Sequence, residues 1–197
     1  MRVEVLCEDL LAWVFIRRAL IKAGIQSRQI FKHPFPDSRF NASASGMQAK
    51  GDYEIYSCGS QHVRNNYPSR LAQVRALSGS RKAKLVVHID VDNKEPSRRS
   101  VQNREDELNA SCTRAGVAIT TSTDPVILLI ARRELESWIE CLRGQPADEH
   151  TQYPKLKDCE SDCWAEAERF ADHARAGTQP DKATPSLVLG LQRFSKL

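Results

Sequence analysis

Residues 84–89 (Lys-Leu-Val-Val-His-Ile) form an almost unbroken apolar run that stops abruptly at Asp90-Val91-Asp92-Asn93. A strand with one wet face alternates apolar and polar residues. A run without a polar face suits a strand covered on both sides, as in a parallel sheet. Residues 125–130 carry the same signature, and residues 3–7 (Val-Glu-Val-Leu-Cys) read as a first strand. Helical spacing lies between and after these runs. Residues 9–24 place Leu10, Val14, Ile16, Leu20 and Ile21 on one broad face, and Leu135, Trp138, Ile139 and Leu142 fall at i, i+3, i+4 and i+7. This alternation predicts an α/β layer fold with a mainly parallel sheet.

The remaining segments are assigned by their punctuation. Residues 25–51, with Pro34, Pro36 and a small-residue run at 41–46, read as an irregular loop. Residues 53–57 read as a short second strand, and Ser60 as the cap of a helix to about residue 77 that Pro68 should kink or break. Residues 98–115 form a charged helix, followed by a strand-like piece at 117–120. Strands and helices over 1–143 constitute the core. Residues 144–197 are expected to be a helical extension packed on it, with helices near 162–175 and 187–194.

A length of 197 residues suits one compact domain, and 41% hydrophobic with 27% charged residues suits a folded one. No apolar run approaches the roughly 18 residues of a membrane span, and the N-terminus lacks a signal-peptide pattern. The expectation is a cytoplasmic protein without membrane attachment, whose six scattered cysteines stay reduced. Net charge is +4, but residues 1–104 carry 18 Lys/Arg against 9 Asp/Glu. That excess permits a phosphate-rich partner, nucleic acid above all, without proving a surface patch.

Chemistry in an open parallel sheet gathers beyond the carboxyl ends of the strands. Three such ends carry acids: Glu8-Asp9, Asp90-Val91-Asp92, and Glu134-Leu135-Glu136. In extended backbone Asp90 and Asp92 point to the same side. Carboxylates crowded at one edge repel one another and are tolerated mainly around a cation; all-oxygen donors of this kind favour Mg2+ or Mn2+. Asp9 could be a further ligand or the N-cap of the first helix, and spacing does not separate Glu134 from Glu136.

The run Val-Leu-Cys-Glu8-Asp9 followed by Val-Val-His-Ile-Asp90-Val-Asp92 resembles the TOPRIM fold of topoisomerases, primases and certain nucleases. Residues 15–18, 58–64, 133–138 and 153–156 extend the likeness to small stand-alone bacterial TOPRIM-like proteins and to the overcoming-lysogenization-defect nucleases. The resemblance implies a TOPRIM-like sheet and a metal set of Glu8, Asp90 and Asp92, with Glu136 as the acid of the third strand. It further implies Mg2+- or Mn2+-assisted attack of water on a nucleic-acid phosphodiester, with Glu8 as ligand or general base. The doubled acid Glu8-Asp9 departs from the pattern. Too little chain is present for a separate topoisomerase tyrosine domain or a primase zinc module, which leaves a nuclease. Family members work with ATPases, often in phage defence. This chain has no Walker-type phosphate loop of its own, so an ATPase partner is expected, and a non-catalytic subunit of an ATPase complex is the alternative. A response-regulator receiver fits poorly, because it needs its acceptor Asp and a later lysine within a shorter chain.

Several basic residues could meet phosphates. Arg132 and Arg133 stand nearest an acid of the proposed site, and Arg64 follows Gly59-Ser60 by one helical turn, where backbone amides could hold an anion. Arg17, Arg18, Arg98 and Arg99 are weaker candidates, and Lys94 reads as solvated. Cys159 and Cys163, four apart near His150 and His173, fit no standard zinc spacing. His88 reads as a core histidine. Oligomeric state is not legible.

Overall fold

The structure, a computed structural model, describes residues 1–32, 59–78, 82–91, 100–156 and 159–197. The strands are β1 (Arg2–Leu6), β2 (Ile30–Lys32), β3 (Ala83–Asp90) and β4 (Val126–Ala131), and they form one sheet in the order β2-β1-β3-β4. Every pairing is parallel. The helices are α1 (Leu10–Lys22), α2 (Gly59–Ser78), α3 (Val101–Arg114), α4 (Leu135–Leu142), α5 (Cys159–Ala176) and α6 (Pro185–Phe194). The α/β architecture expected from the alternation, with helices flanking a parallel sheet and further helices at the C-terminal end, is the architecture observed.

Side chains alternate across the sheet and build two apolar layers. On one face Val3, Val5, Val86, Ile127 and Leu129 pack with α1, α4, α5 and α6. On the other, Leu85, Val87, Ile89 and Val91 pack with Val63, Tyr67, Leu71 and Val74 of α2 and Leu108 and Cys112 of α3. Residues beyond 144 therefore share a core with the strands. Trp138 is the hub of the first layer. It is fully buried, stacks on Phe170 at 5.9 Å between centroids, and donates its indole N–H to Ser186 Oγ at 2.8 Å.

Two local expectations change. β2 lies at Ile30–Lys32, inside the stretch read as loop; three residues are too few to show a period, and only pairing with Val3–Val5 reveals the strand. The strand expected at 53–57 falls outside the described residues. The piece at 117–120 is not a strand, because side chains take its backbone groups: Arg75 donates to the carbonyls of Ala118 (2.7 Å) and Ile119 (2.9 Å), and Thr120 N–H donates to Asn109 Oδ1. Pro68 does not break α2. It removes the amide that would bond the carbonyl of Arg64, but the fully buried stripe Val63, Tyr67, Leu71 and Val74 holds the helix against β3 on both sides of it. Of the six cysteines, Cys7, Cys112, Cys141 and Cys163 are buried.

Candidate functional site

The parallel register sets Leu6 beside Val87 and Asp90 beside Ala131, so β1, β3 and β4 end on one rim. On that rim the Glu8 carboxylate accepts the backbone N–H of Asp90 at 2.9 Å. Both residues are buried, at 6% and 7% exposure. The Glu8 side chain thus reaches across to the backbone of the neighbouring strand, 82 positions away in sequence, at the residue that carries the second acid. Asp92 lies outside the described residues.

Asp9, left open as ligand or cap, is the N-cap of α1: its backbone is extended and Oδ1 accepts Ala12 N–H at 2.8 Å. Burial still holds its carboxyl above the usual value, with the Ala12 amide and Lys155 pulling the other way. His88, directly beneath Asp90 on the same side of β3, is enclosed, with its ring edge-on to Trp138. Burial pushes its pKa down to about 3, so the ring is neutral at physiological pH. Its Nε2 lies 3.6 Å from Asp90 Oδ1, and the acid beside it faces no imidazolium charge.

The third acidic position carries its own cation. Glu136, 3% exposed in the first turn of α4, pairs with Lys155 Nζ at 2.9 Å, and Glu134 pairs with the same ammonium at 3.3 Å while accepting Tyr153 N–H at 2.7 Å. Burial raises the Glu136 pKa against the pull of Lys155; the two glutamates hold Lys155 well above the ordinary lysine value, although burial opposes them. Lys155 thus ties residues 153–156 to the rim and lends its field to Asp9. The sequence singled out this segment, but not the lysine as a site residue.

The basic candidates separate. Arg132 is held by structure: its N–H donates to Ser186 Oγ, and its guanidinium lies 3.5 Å from Glu149, whose other oxygen accepts Ser186 N–H in the first turn of α6. Arg133 is half-buried on the rim beside Glu134. Arg64 lies on α2, which starts against the site, since Gly59 N–H donates to the Glu8 carbonyl at 3.3 Å. Arg64 is joined through Glu107 to Arg104, a residue the sequence reading did not single out.

Among the described residues no group of three or more His, Cys, Asp or Glu side chains comes together as a metal cage. Mg2+ does not require one: it keeps several waters and is commonly held by one or two carboxylates together with substrate phosphate. The pair Glu8 and Asp90, with oxygen donors only, fits that chemistry. Among the described residues no helix is long and apolar enough to cross a membrane. No protein-family model, curated protein or solved structure matches the chain.

Proposed function

We propose that the protein is a divalent-metal-dependent nuclease of TOPRIM-like type, hydrolysing nucleic-acid phosphodiesters with Mg2+ or Mn2+. The observation that carries this reading is the Glu8–Asp90 contact at the carboxyl ends of adjacent parallel strands. A cation there would supply Lewis-acid stabilisation of charge on the attacked phosphate. The chain's own residues do the rest. The Asp90 amide fixes the Glu8 carboxylate, and the neutral His88 adds no competing charge. Glu8, Asp90 and Asp92 are the ligand set, and Glu136 stands with Lys155 at the flank. Arg64, Arg132 and Arg133 are the basic groups that would meet the phosphate backbone; Arg64 is paired with Glu107 and Arg132 with Glu149.

Incubating the pure protein with labelled single-stranded DNA, duplex DNA and RNA, with Mg2+, Mn2+ or chelator, tests the proposal. Cleavage that needs metal and is lost in Asp90→Asn supports it. No cleavage of any substrate, or equal cleavage by the variant, overturns it.

One observation favours a second reading, a non-catalytic subunit of an ATPase complex acting in phage defence. Lys155 already supplies Glu134 and Glu136 with a cation from the chain itself, so that corner does not depend on a metal for its counter-charge. Co-purification of an ATPase with a chain that never cleaves alone or in the complex would select this reading.

A further inference from the structure

The stripe by which α3 faces the sheet reads Arg104, Leu108, Ser111 and Cys112, at i, i+4, i+7 and i+8. A helix normally places an apolar residue at the first of these positions; here it is an arginine at 1% exposure. A buried guanidinium is costly unless all its donors are engaged. Arg104 reaches one acceptor: Nη1 donates to Glu107 Oε2 at 2.6 Å, whereas Nη2 is buried with no hydrogen-bond partner among the described residues. The same Glu107 oxygen accepts from Arg64 Nη1 at 3.0 Å. Two guanidiniums thus converge on one oxygen of a carboxylate that is itself 37% exposed and able to swing away.

Guanidiniums hold phosphates by charge-assisted hydrogen bonds, and here two of them already converge on one anionic oxygen. We infer that Arg64 and Arg104 form a phosphate subsite for a nucleic-acid strand, and that Glu107 is a resident stand-in that the strand's phosphate displaces. A phosphate has more acceptor oxygens than the one Glu107 uses, and can engage Arg104 Nη2 as well. The trio carries a net charge of +1, which becomes +2 toward an incoming anion once Glu107 leaves. The subsite rests on the nuclease reading for its choice of ligand. α2 starts against Glu8, and Arg64, five residues along, stands about 7.5 Å up the helix axis from that junction. A strand whose reacting phosphate lies at Glu8 and Asp90 would bring a neighbouring phosphate to this pair.

The test is binding in chelator, where no cleavage occurs, of fluorescein-labelled 20-nucleotide DNA and RNA strands, read by anisotropy across a salt series. Arg64→Gln and Arg104→Leu are each expected to weaken binding about tenfold, the scale of a charge-assisted hydrogen bond, and to flatten the salt dependence by about 0.7 of a log unit per log salt. Glu107→Gln is expected to tighten binding, because the competing anion is gone. Arg104→Leu should melt no lower than wild type, since a buried charge gives way to an apolar side chain; should it fail to fold, Arg64→Gln and Glu107→Gln decide. Unchanged or weaker binding by Glu107→Gln, or an unchanged salt slope in Arg64→Gln, overturns the proposal. So does equal protection of the site by millimolar inorganic phosphate alone, which would make it a free-phosphate site. The two readings fail separately. Binding shifts as expected in a protein that never cleaves sink the nuclease and keep the subsite; metal-dependent cleavage with unshifted binding does the reverse.

Discussion

The two rims of the sheet treat their carboxylates in opposite ways. At the amino-end rim Asp124, just before β4, receives two hydrogen bonds from Arg75, both 2.7 Å, and its pKa is drawn down to about 2. That is a completed ion pair with a structural task, fastening the end of α2 to the loop that enters β4. At the carboxyl-end rim burial holds Asp9 and Glu136 above their ordinary values, while Glu8 and Asp90 are nearly enclosed side by side. Acids kept where ionisation is costly are common at functional sites, and the contrast within one sheet is why this rim is the candidate.

The largest effect that could break the comparison is on catalysis. Asp90→Asn is expected to lower metal-dependent cleavage by about two orders of magnitude or more, the worth of several kcal/mol of transition-state stabilisation. Asp124→Asn should leave the rate unchanged; equal loss in both variants would erase the distinction between the rims. Next is stability. Gly190 of α6 lies against the Trp138 ring, and a Cβ there would come within 2.5 Å of Cη2. Gly190→Ala should therefore cost about 1–3 kcal/mol by overpacking, seen as a lower melting temperature, and should weaken the layer that holds α4 and its acids in place. Lys155→Met, which leaves Glu134 and Glu136 without their cation, is expected to cost only about 1 kcal/mol, because the lysine is largely exposed. A much larger loss would make that corner a structural ion pair like Asp124.

The smallest effect is a pH signature. The lowered pKa of Asp124 means that its contribution is fully present above the usual 3.8 and is lost as pH falls through about 2. The stability deficit of Asp124→Asn, measured by denaturant titration, should be clear at pH 6 and vanish near pH 2. A deficit that persists in acid would show that the Arg75 contact works through something other than charge.

The buried runs and their terminal acids were readable because period and burial are local: residues 84–90 declare a doubly covered strand, and Asp90 its end. Glu8 was readable for the same reason. Where β2 lies was not, since Ile30–Lys32 is a strand only because β1 is beside it. Lys155 and Arg104 were also hidden. A lysine in a loop and an arginine in a charged helix look solvated in one dimension, and only packing sets one against Glu134 and Glu136 and the other beneath the surface of α3. The amino-acid order alone determined the α/β alternation, the parallel strands and the acids at their tips, because hydrophobic periodicity acts over a few residues. Tertiary structure decided which acids come to one rim, which receive a cation from the chain and which arginine is buried, because electrostatic partnership depends on distance in space between residues up to 150 positions apart.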